Sequence, residues 1–486
     1  MSGSRYRSPL TPGRAAIARA ARHVVVAVAV LAVLLPLGSC RKVESAQQDP
    51  FAKEAEDAFV AYLQIDTANP PGNETRGAEF LRDLFAKDGI ETRLLGLDPA
   101  RQGLYARLES GTNEKALLLL SHIDVVPVEA ERWTHPPFGG VRAGGYIWGR
   151  GALDAKSLTI AQAMALLDLK RRNAPLERDV IFLAVPDEER GGLNGAKQIL
   201  ESYPELFADV GFVLNEGGSN ETAVDQVIFW GIEVQQKIPL WLRIVSEGTG
   251  GHGASPAGDG GASAKLVRAL SAVDALETPY RLTESVAQIV GVTAALRPHG
   301  RGAMLRLVRE PLDVPAIERE LSPFYLNLLR DTVTITTLSA GRSVNVIPSR
   351  ATADIDIRLL PGTRPDEMLA RIREAVGEDG SVEVILSGEQ TPDSPIEGEL
   401  FETVARAMRE SSPGSIVGPM LTPGTTDSRF FRARGIVAYG IAPFKVNYYD
   451  AGTVHGDDER IRARFFEEGV RLTRRIVSDF CEAKKD

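Results

Sequence analysis

The run LLLLSH at 117–122 limits the fold more than any other stretch. A strand of successive leucines has no face left for solvent. It must be covered on both sides, as strands are in a mostly parallel α/β sheet. Similar apolar runs stand at 180–185 and 210–214. Helical spacing separates them: Ile160, Ala163, Met164 and Leu167 share one face of a segment at 157–172, and a shorter helical segment covers 194–201. Strands alternating with helices in this way specify an α/β sheet. Each apolar run also ends in reactive groups. His122 closes the first, Pro186-Asp187-Glu188-Glu189 follows the second, and Asn215-Glu216-Gly217 follows the third. In such sheets functional groups collect beyond the carboxyl ends of strands. His122, Glu188, Glu189 and Glu216 are therefore expected along one edge.

At 486 residues the chain exceeds one ordinary core, and two domains are expected. The pattern changes near Ile232. Strands at 240–246, 332–338, 351–359 and 381–386, with helices at 262–276 and 364–376, read β-α-β-β-α-β. That is the split arrangement of a small ferredoxin-like domain. A mostly helical excursion at 277–330 interrupts it, and after Glu389 the α/β texture returns. The expected division is a catalytic domain in two parts, 51–231 and 390–486, with an inserted domain at 232–389 between them.

The N-terminus is of another kind. Arg5, Arg7, Arg14, Arg19 and Arg22 precede an apolar run at 24–37 that ends in Leu37-Gly38-Ser39-Cys40. A basic segment, a short apolar run and small residues form an export signal. Its end resembles a bacterial lipobox, in which the Cys becomes the lipidated first residue. The rivals are a plain signal peptide and an uncleaved anchor, although the run is short of the ~20 apolar residues of a membrane-spanning helix. On this reading residues 1–40 are a signal peptide with lipobox and 41–50 a polar tether, and the protein is anchored in the bacterial cell envelope through Cys40. Cys481 then has no partner, so no disulfide framework is expected. The net charge of −9 includes no basic block, which argues against nucleic acid.

Imidazole nitrogen and carboxylate oxygen are the ligands zinc takes in open sites. His122 stands two residues before Asp124, a spacing that lets the carboxylate take the second ring N–H. Asp154 ends Gly149-Arg150-Gly151-Ala152-Leu153-Asp154, where glycines allow unusual backbone angles. Glu188 and Glu189 beside Asp187 repel one another unless a cation is near; one can bind metal while the other carries a proton. His455 lies between Gly452 and Gly456, ahead of a helical pattern read from Glu459 onward. Each residue alone has an ordinary reading as a satisfied loop His, a turn, a solvated acidic cluster or a helix start. Together they make two His, a carboxylate able to bridge, two further carboxylates and a spare Glu. That set builds a two-metal hydrolytic site, with ions ~3.5–4 Å apart and the spare Glu taking a proton from water.

The motifs SHIDVVP, WTHPPFGG, GRGALDAK, VPDEERGG, LNEGG, GGHGASP, NVIP, IDIRLLPG, GTTDSR and AGTVHGDDERI follow one another along the chain. In this order they resemble the zinc-dependent peptidase and aminoacylase family that contains aminoacylase-1, acetylornithine deacetylase, succinyl-diaminopimelate desuccinylase and bacterial glutamate carboxypeptidase. The resemblance runs from about residue 51 to 480, and LNEGG and TTDSRFF place the carboxypeptidase S and N-acyl-amino-acid hydrolase branch nearest. It implies an α/β catalytic domain with an inserted lid and dimerisation domain. It also implies two Zn2+ per subunit, with cobalt or manganese as substitutes. His122, Asp154 and Glu216 would hold one ion, and Asp154, Glu189 and His455 the other. Glu188 would be the general base, Asp124 would orient His122, and the Asp154–Ala155 peptide would be cis. From the inserted domain His252 would stabilise the oxyanion, often across a dimer; Asn345 and Arg358 would bind the substrate's carboxylate end, and Thr426 would line a contact loop.

The implied reaction is hydrolysis of an amide or peptide bond next to a free carboxylate, in a small peptide or an N-acyl amino acid. A non-catalytic peptide- or metal-binding envelope lipoprotein is the reading from another class. In LNEGG, Asn215 stands where close relatives often carry Asp. The long excursion leaves both a homodimer and a monomer open.

Overall fold

The computed structural model describes residues 50–223, 225–283, 286–287, 312–321 and 323–483. The N-terminal segment with Cys40, the tether up to residue 49, half of the 277–330 excursion and His299 lie outside the described residues.

The larger sheet runs, in spatial order, Thr92–Leu95, Gly103–Leu108, Val180–Val185, Ala116–His122, Val210–Asn215, Val437–Gly440, Gln226–Gln236 and Ile416–Thr422, with Ser219–Ala223 paired beside Gln226–Gln236. The central strands Val180–Val185, Ala116–His122, Val210–Asn215 and Val437–Gly440 are parallel, so their carboxyl ends share one edge. Alternation along Ala116–His122 explains the leucine run. Leu117 and Leu119 enter an apolar core with the helices Pro50–Leu63, Lys156–Arg171 and Ala463–Cys481. Leu118 and Leu120 enter a second core on the opposite face, with Ile199, Phe207 and Phe431. All are fully buried, and burial of each stabilises the sheet by about 1.5–3 kcal/mol. Lys156–Arg171 is buried almost all round, and its Gln162 amide donates to the carbonyls of Leu120 and Leu214.

The chain leaves this sheet at Lys237, because the strand Gln226–Gln236 continues past Ile232 where the sequence pattern changes. Lys237 is buried and donates to the Arg330 carbonyl at 2.7 Å; burial pushes its pKa down to about 8. The smaller sheet is antiparallel throughout, in the order Thr332–Ala340, Arg350–Leu359, Ile238–Glu247, Ser381–Ser387. Gly261–Asp274 and Pro365–Val376 pack on it around Leu242, Ile244, Ile355 and Ile357. The β-α-β-β-α-β order and the mixed α/β class are those read from the sequence.

Three elements depart from the sequence reading. Ile416–Thr422 is a strand despite Pro419, because it closes the edge of the sheet, where a missing N–H is tolerated. Gln226–Gln236 is a long, mostly buried strand absent from the elements read from the sequence, and its Glu233 forms a buried ion pair with Arg432 at 2.6 Å. The last helix begins at Ala463 rather than Glu459, because Arg460–Arg462 forms a strand against Tyr146–Trp148. No helix among the described residues is long and apolar enough to cross a membrane.

Candidate metal centre

The sheet edge gathers the reactive groups. His122 ends its strand opposite Val185, so the loop bearing Glu188 and Glu189 leaves beside it. Glu216 follows Val210–Asn215 one strand further on. Asp154 arrives from the glycine loop before Lys156–Arg171, and the Asp154–Ala155 peptide is cis. His455 arrives from the turn before Arg460–Arg462.

Two groups of donor atoms result, each lying within 4.8 Å of one another: His122, Asp154 and Glu216, and Asp154, Glu189 and His455. Asp154 belongs to both. Its Oδ1 is 3.1 Å from His122 Nε2, and its Oδ2 is 3.2 Å from His455 Nε2. His455 Nε2 also lies 3.1 Å from Glu189 Oε2. The other Glu189 oxygen, Oε1, is buried with no hydrogen-bond partner among the described residues. An orphaned carboxylate oxygen beside an imidazole fits a cation.

The electrostatics point the same way. Burial, then the Asp154 charge, pushes Glu216 up to about 8. Burial and then the Glu216 charge lift Glu188 well above the carboxylate range. Hydrogen bonds to Asp154 and Glu189 push His455 up to about 11. For His122 burial works against the charge, yet Asp154 and Glu188 raise it well above its ordinary value. Carboxylates outnumber imidazoles in the cluster, which is thus short of positive charge. Asp187 and His455, with φ of 72° and 58°, hold left-handed backbone that favours glycine. Such conformations persist where the surroundings enforce them, commonly at functional sites.

Asp124 takes a different part from the one its spacing suggests. The main-chain carbonyl of Asp124 faces His122 Nδ1 at 2.9 Å, and the nearer carboxylate oxygen lies 3.7 Å away. The carboxylate accepts instead the main-chain N–H groups of Glu188 and Glu189, each at 3.1 Å, and the Asn69 amide at 3.1 Å. Behind this loop Arg101 joins the buried Glu74 to Asp187, both at 2.7 Å.

The residues assigned to the inserted domain lie outside both donor groups. His252 is exposed on a two-residue strand paired with Val346, and its Nδ1 accepts the Ala254 N–H at 3.0 Å. Asn345 is exposed beside it, with its carbonyl accepting the Gly253 N–H. Arg358 grips Asp356 through Nε and Nη2 at 2.7 and 2.9 Å and donates to the Thr425 hydroxyl at 2.9 Å. Thr426 is buried; its hydroxyl donates to Gln236 and accepts the Ser428 N–H. Trp133 lies under the Arg150 guanidinium, and His135 meets Trp148 edge-on.

The sequence reading passed over Asp427, which lies beside Thr426 in GTTDSR. It is buried with neither oxygen partnered among the described residues, and burial pushes it up to about 6. It also passed over Asn69, Arg101, Arg150 and Glu459. Of these, only Arg150 and Glu459 fell inside quoted motifs.

Carboxylates and imidazoles around one shared Asp at the strand ends of an α/β sheet, with an inserted ferredoxin-like domain, define a two-domain hydrolase of amide or peptide bonds. The chain belongs to the family described as peptidase family M20/M25/M40, whose model matches residues 118–479. It is 28% identical to pig (Sus scrofa) aminoacylase-1 over 432 residues, which covers 86% of this chain and 93% of that protein. It is 29% identical to the Xenopus tropicalis N-fatty-acyl-amino acid synthase/hydrolase PM20D1, over 82% of this chain and 78% of that one. The fold matches a metallo-carboxypeptidase of the same family from Sulfolobus solfataricus, Sso-CP2, with a TM-score of 0.68 at 19% identity, over 87% of this chain and 98% of that chain. The non-catalytic reading finds no support among these relatives.

Proposed function

We propose that the chain hydrolyses an amide or peptide bond next to a free carboxylate, in a dipeptide, at a peptide C-terminus or in an N-acyl amino acid. The observation that carries this reading is Asp154 shared between two donor groups, with Glu188 beside them. Imidazole and carboxylate donors without thiolate suit zinc, with cobalt or manganese as substitutes. His122, Asp154 and Glu216 would hold one ion, and Asp154, Glu189 and His455 the other. Such a pair, when bound, lowers the pKa of water to near neutrality and polarises a carbonyl.

Glu188 takes the proton of the attacking water and returns it to the leaving amine, a transfer worth about 10²–10⁴ in rate. Its raised basicity suits that task, and Asp124 holds its main chain in place. Asn345 and Arg358 are assigned to the carboxylate end of the substrate, and the turn of Thr425 and Thr426 to the loop beside it. His252, exposed and outside both donor groups, would act on the oxyanion after domain closure or from a partner copy. A homodimer through the inserted domain therefore belongs to the proposal. Export and a lipid anchor at Cys40 are proposed from the N-terminal sequence alone; fatty-acid labelling that persists in Cys40→Ser overturns the anchor.

The deciding experiment is Glu188→Ala, assayed on dipeptides and on N-acetyl and long-chain N-acyl amino acids with zinc, cobalt or manganese added back. Turnover should vanish while metal content stays. Unchanged turnover overturns the mechanism.

A further inference from the structure

One buried carboxylate outside both donor groups is committed to the loop that carries Asp154. Glu459 is fully buried. Its Oε2 accepts Arg150 Nη1 at 2.7 Å and the Gly151 N–H at 2.9 Å. Its Oε1 accepts the N–H groups of Leu153 at 2.7 Å and Asp154 at 3.1 Å. Its own carbonyl accepts the Gly149 N–H at 3.0 Å. The partner Arg150, 2% exposed, reaches on through Nη2 to the Gly456 carbonyl at 2.8 Å, next to His455.

The loop at 149–154 has little regular structure of its own; Gly151 has a φ of 86°, and a Cβ there would lie 2.9 Å from Val125. Without Glu459 the N–H groups of Gly151, Leu153 and Asp154 would lose their acceptor in a closed interior, where each unsatisfied group is costly. Their only low-energy response is to move, and Asp154 moves with them. The same pair of side chains reaches the turn of His455, so one ionic contact spans the two segments whose separation sets the Asp154–His455 distance of 3.2 Å.

We propose that Glu459, working with Arg150, is a positioning residue that fixes Asp154 relative to His455 and thereby sets how tightly the shared-carboxylate centre holds its metal. This rests on the two-metal reading above. Partners that orient ligands from behind typically contribute 10- to 100-fold in metal affinity.

The test is a zinc titration against a competing chelator on the metal-free full chain, for the wild type, Glu459→Gln, Glu459→Asp and Arg150→Lys. Melting of each metal-free form and the visible spectrum of each cobalt-loaded form accompany it. Gln keeps the volume but turns an N–H₂ toward main-chain donors. Expected are two equivalents in the wild type, at least tenfold weaker binding with an altered cobalt spectrum in Glu459→Gln, and partial recovery in Glu459→Asp. If Glu459→Gln fails to fold, Arg150→Lys carries the same expectation, since it keeps the charge and loses the fork to Gly456. Folded variants that bind zinc within about threefold of the wild type, with its cobalt spectrum, overturn the inference even if their melting falls. A wild type that takes up no second equivalent overturns the two-metal reading, and the inference with it.

Discussion

The Asp124 carboxylate accepts the main-chain N–H of Glu188 at 3.1 Å. The carboxylate two residues beyond the first imidazole thus holds the main chain of Glu188, the proposed proton carrier, and the imidazole itself is held by a main-chain carbonyl. Burial pushes Asp124 up to about 7, and the hydrogen bonds of Asn69 and of both glutamate N–H groups favour its charged form.

Asp124→Asn therefore disturbs the base more than the metals. An amide keeps one acceptor for two N–H groups, so the loop of Glu188 loses a fixed point. The expected result is a fall in kcat of about 10- to 100-fold with KM little changed. Zinc content stays near that of the wild type. Steady-state kinetics with metal analysis checks it; a loss of zinc without any change in kcat per loaded site contradicts it.

Asp427 adds its charge to those that raise Glu188, after burial and Glu216. Glu188 must be ionised to accept a proton, so activity falls as pH falls through its pKa. Asp427→Asn removes a negative neighbour, eases ionisation of Glu188 and moves the acid limb of kcat/KM to lower pH. A profile measured on both proteins decides; an acid limb that stays or rises refutes the coupling.

Metal loading should weaken as pH falls. His455, pushed up to about 11 by Asp154 and Glu189, carries a proton in the metal-free site at neutral pH. A metal ion must displace that proton, so binding releases protons and tightens as pH rises. Zinc titrations at pH 6 and pH 8, read by calorimetry in two buffers of different ionisation enthalpy, report both effects.

Cys481 is fully buried at the end of the last helix, and burial raises its thiol well above the usual range. The thiolate is the reactive form. In Cys40→Ser, a thiol reagent should therefore leave the native protein untouched. It should react only as denaturant opens Ala463–Cys481, with a midpoint matching the loss of helical circular dichroism.

The donor groups were legible because each ligand follows an apolar run or a glycine loop, features that local order imposes. Their partners were not. Asn69, Arg101 and Glu459 meet residues from distant parts of the chain, so their roles exist only once the sheet is assembled. The spacing of His122 and Asp124 suggested a ring-to-carboxylate bond, but a main-chain carbonyl in the same turn occupies Nδ1 first. The partners of the Thr426 hydroxyl, Gln236 and Ser428, are likewise set by the assembled sheet and its turn rather than by the motif. Pro419 hid a strand that only the edge of a sheet accommodates. The β-α-β-β-α-β order was readable because its strands alternate or run apolar within one stretch, Ile238 to Ser387, on either side of the 277–330 excursion.

The position of Val437–Gly440 bears on how the molecule comes into being on the ribosome. This late segment lies between Val210–Asn215 and Gln226–Gln236, strands synthesised long before it. Until it arrives, Val210–Asn215 exposes a raw edge of the kind that recruits other chains, whereas Gln226–Gln236 is already paired on that side by Ser219–Ala223. All four strands of the smaller sheet are made before Ile416–Thr422 and Val437–Gly440, so it can close while the larger one waits. His455 is delivered later still, so the donor group of Asp154, Glu189 and His455 cannot assemble before the chain has been made past residue 455.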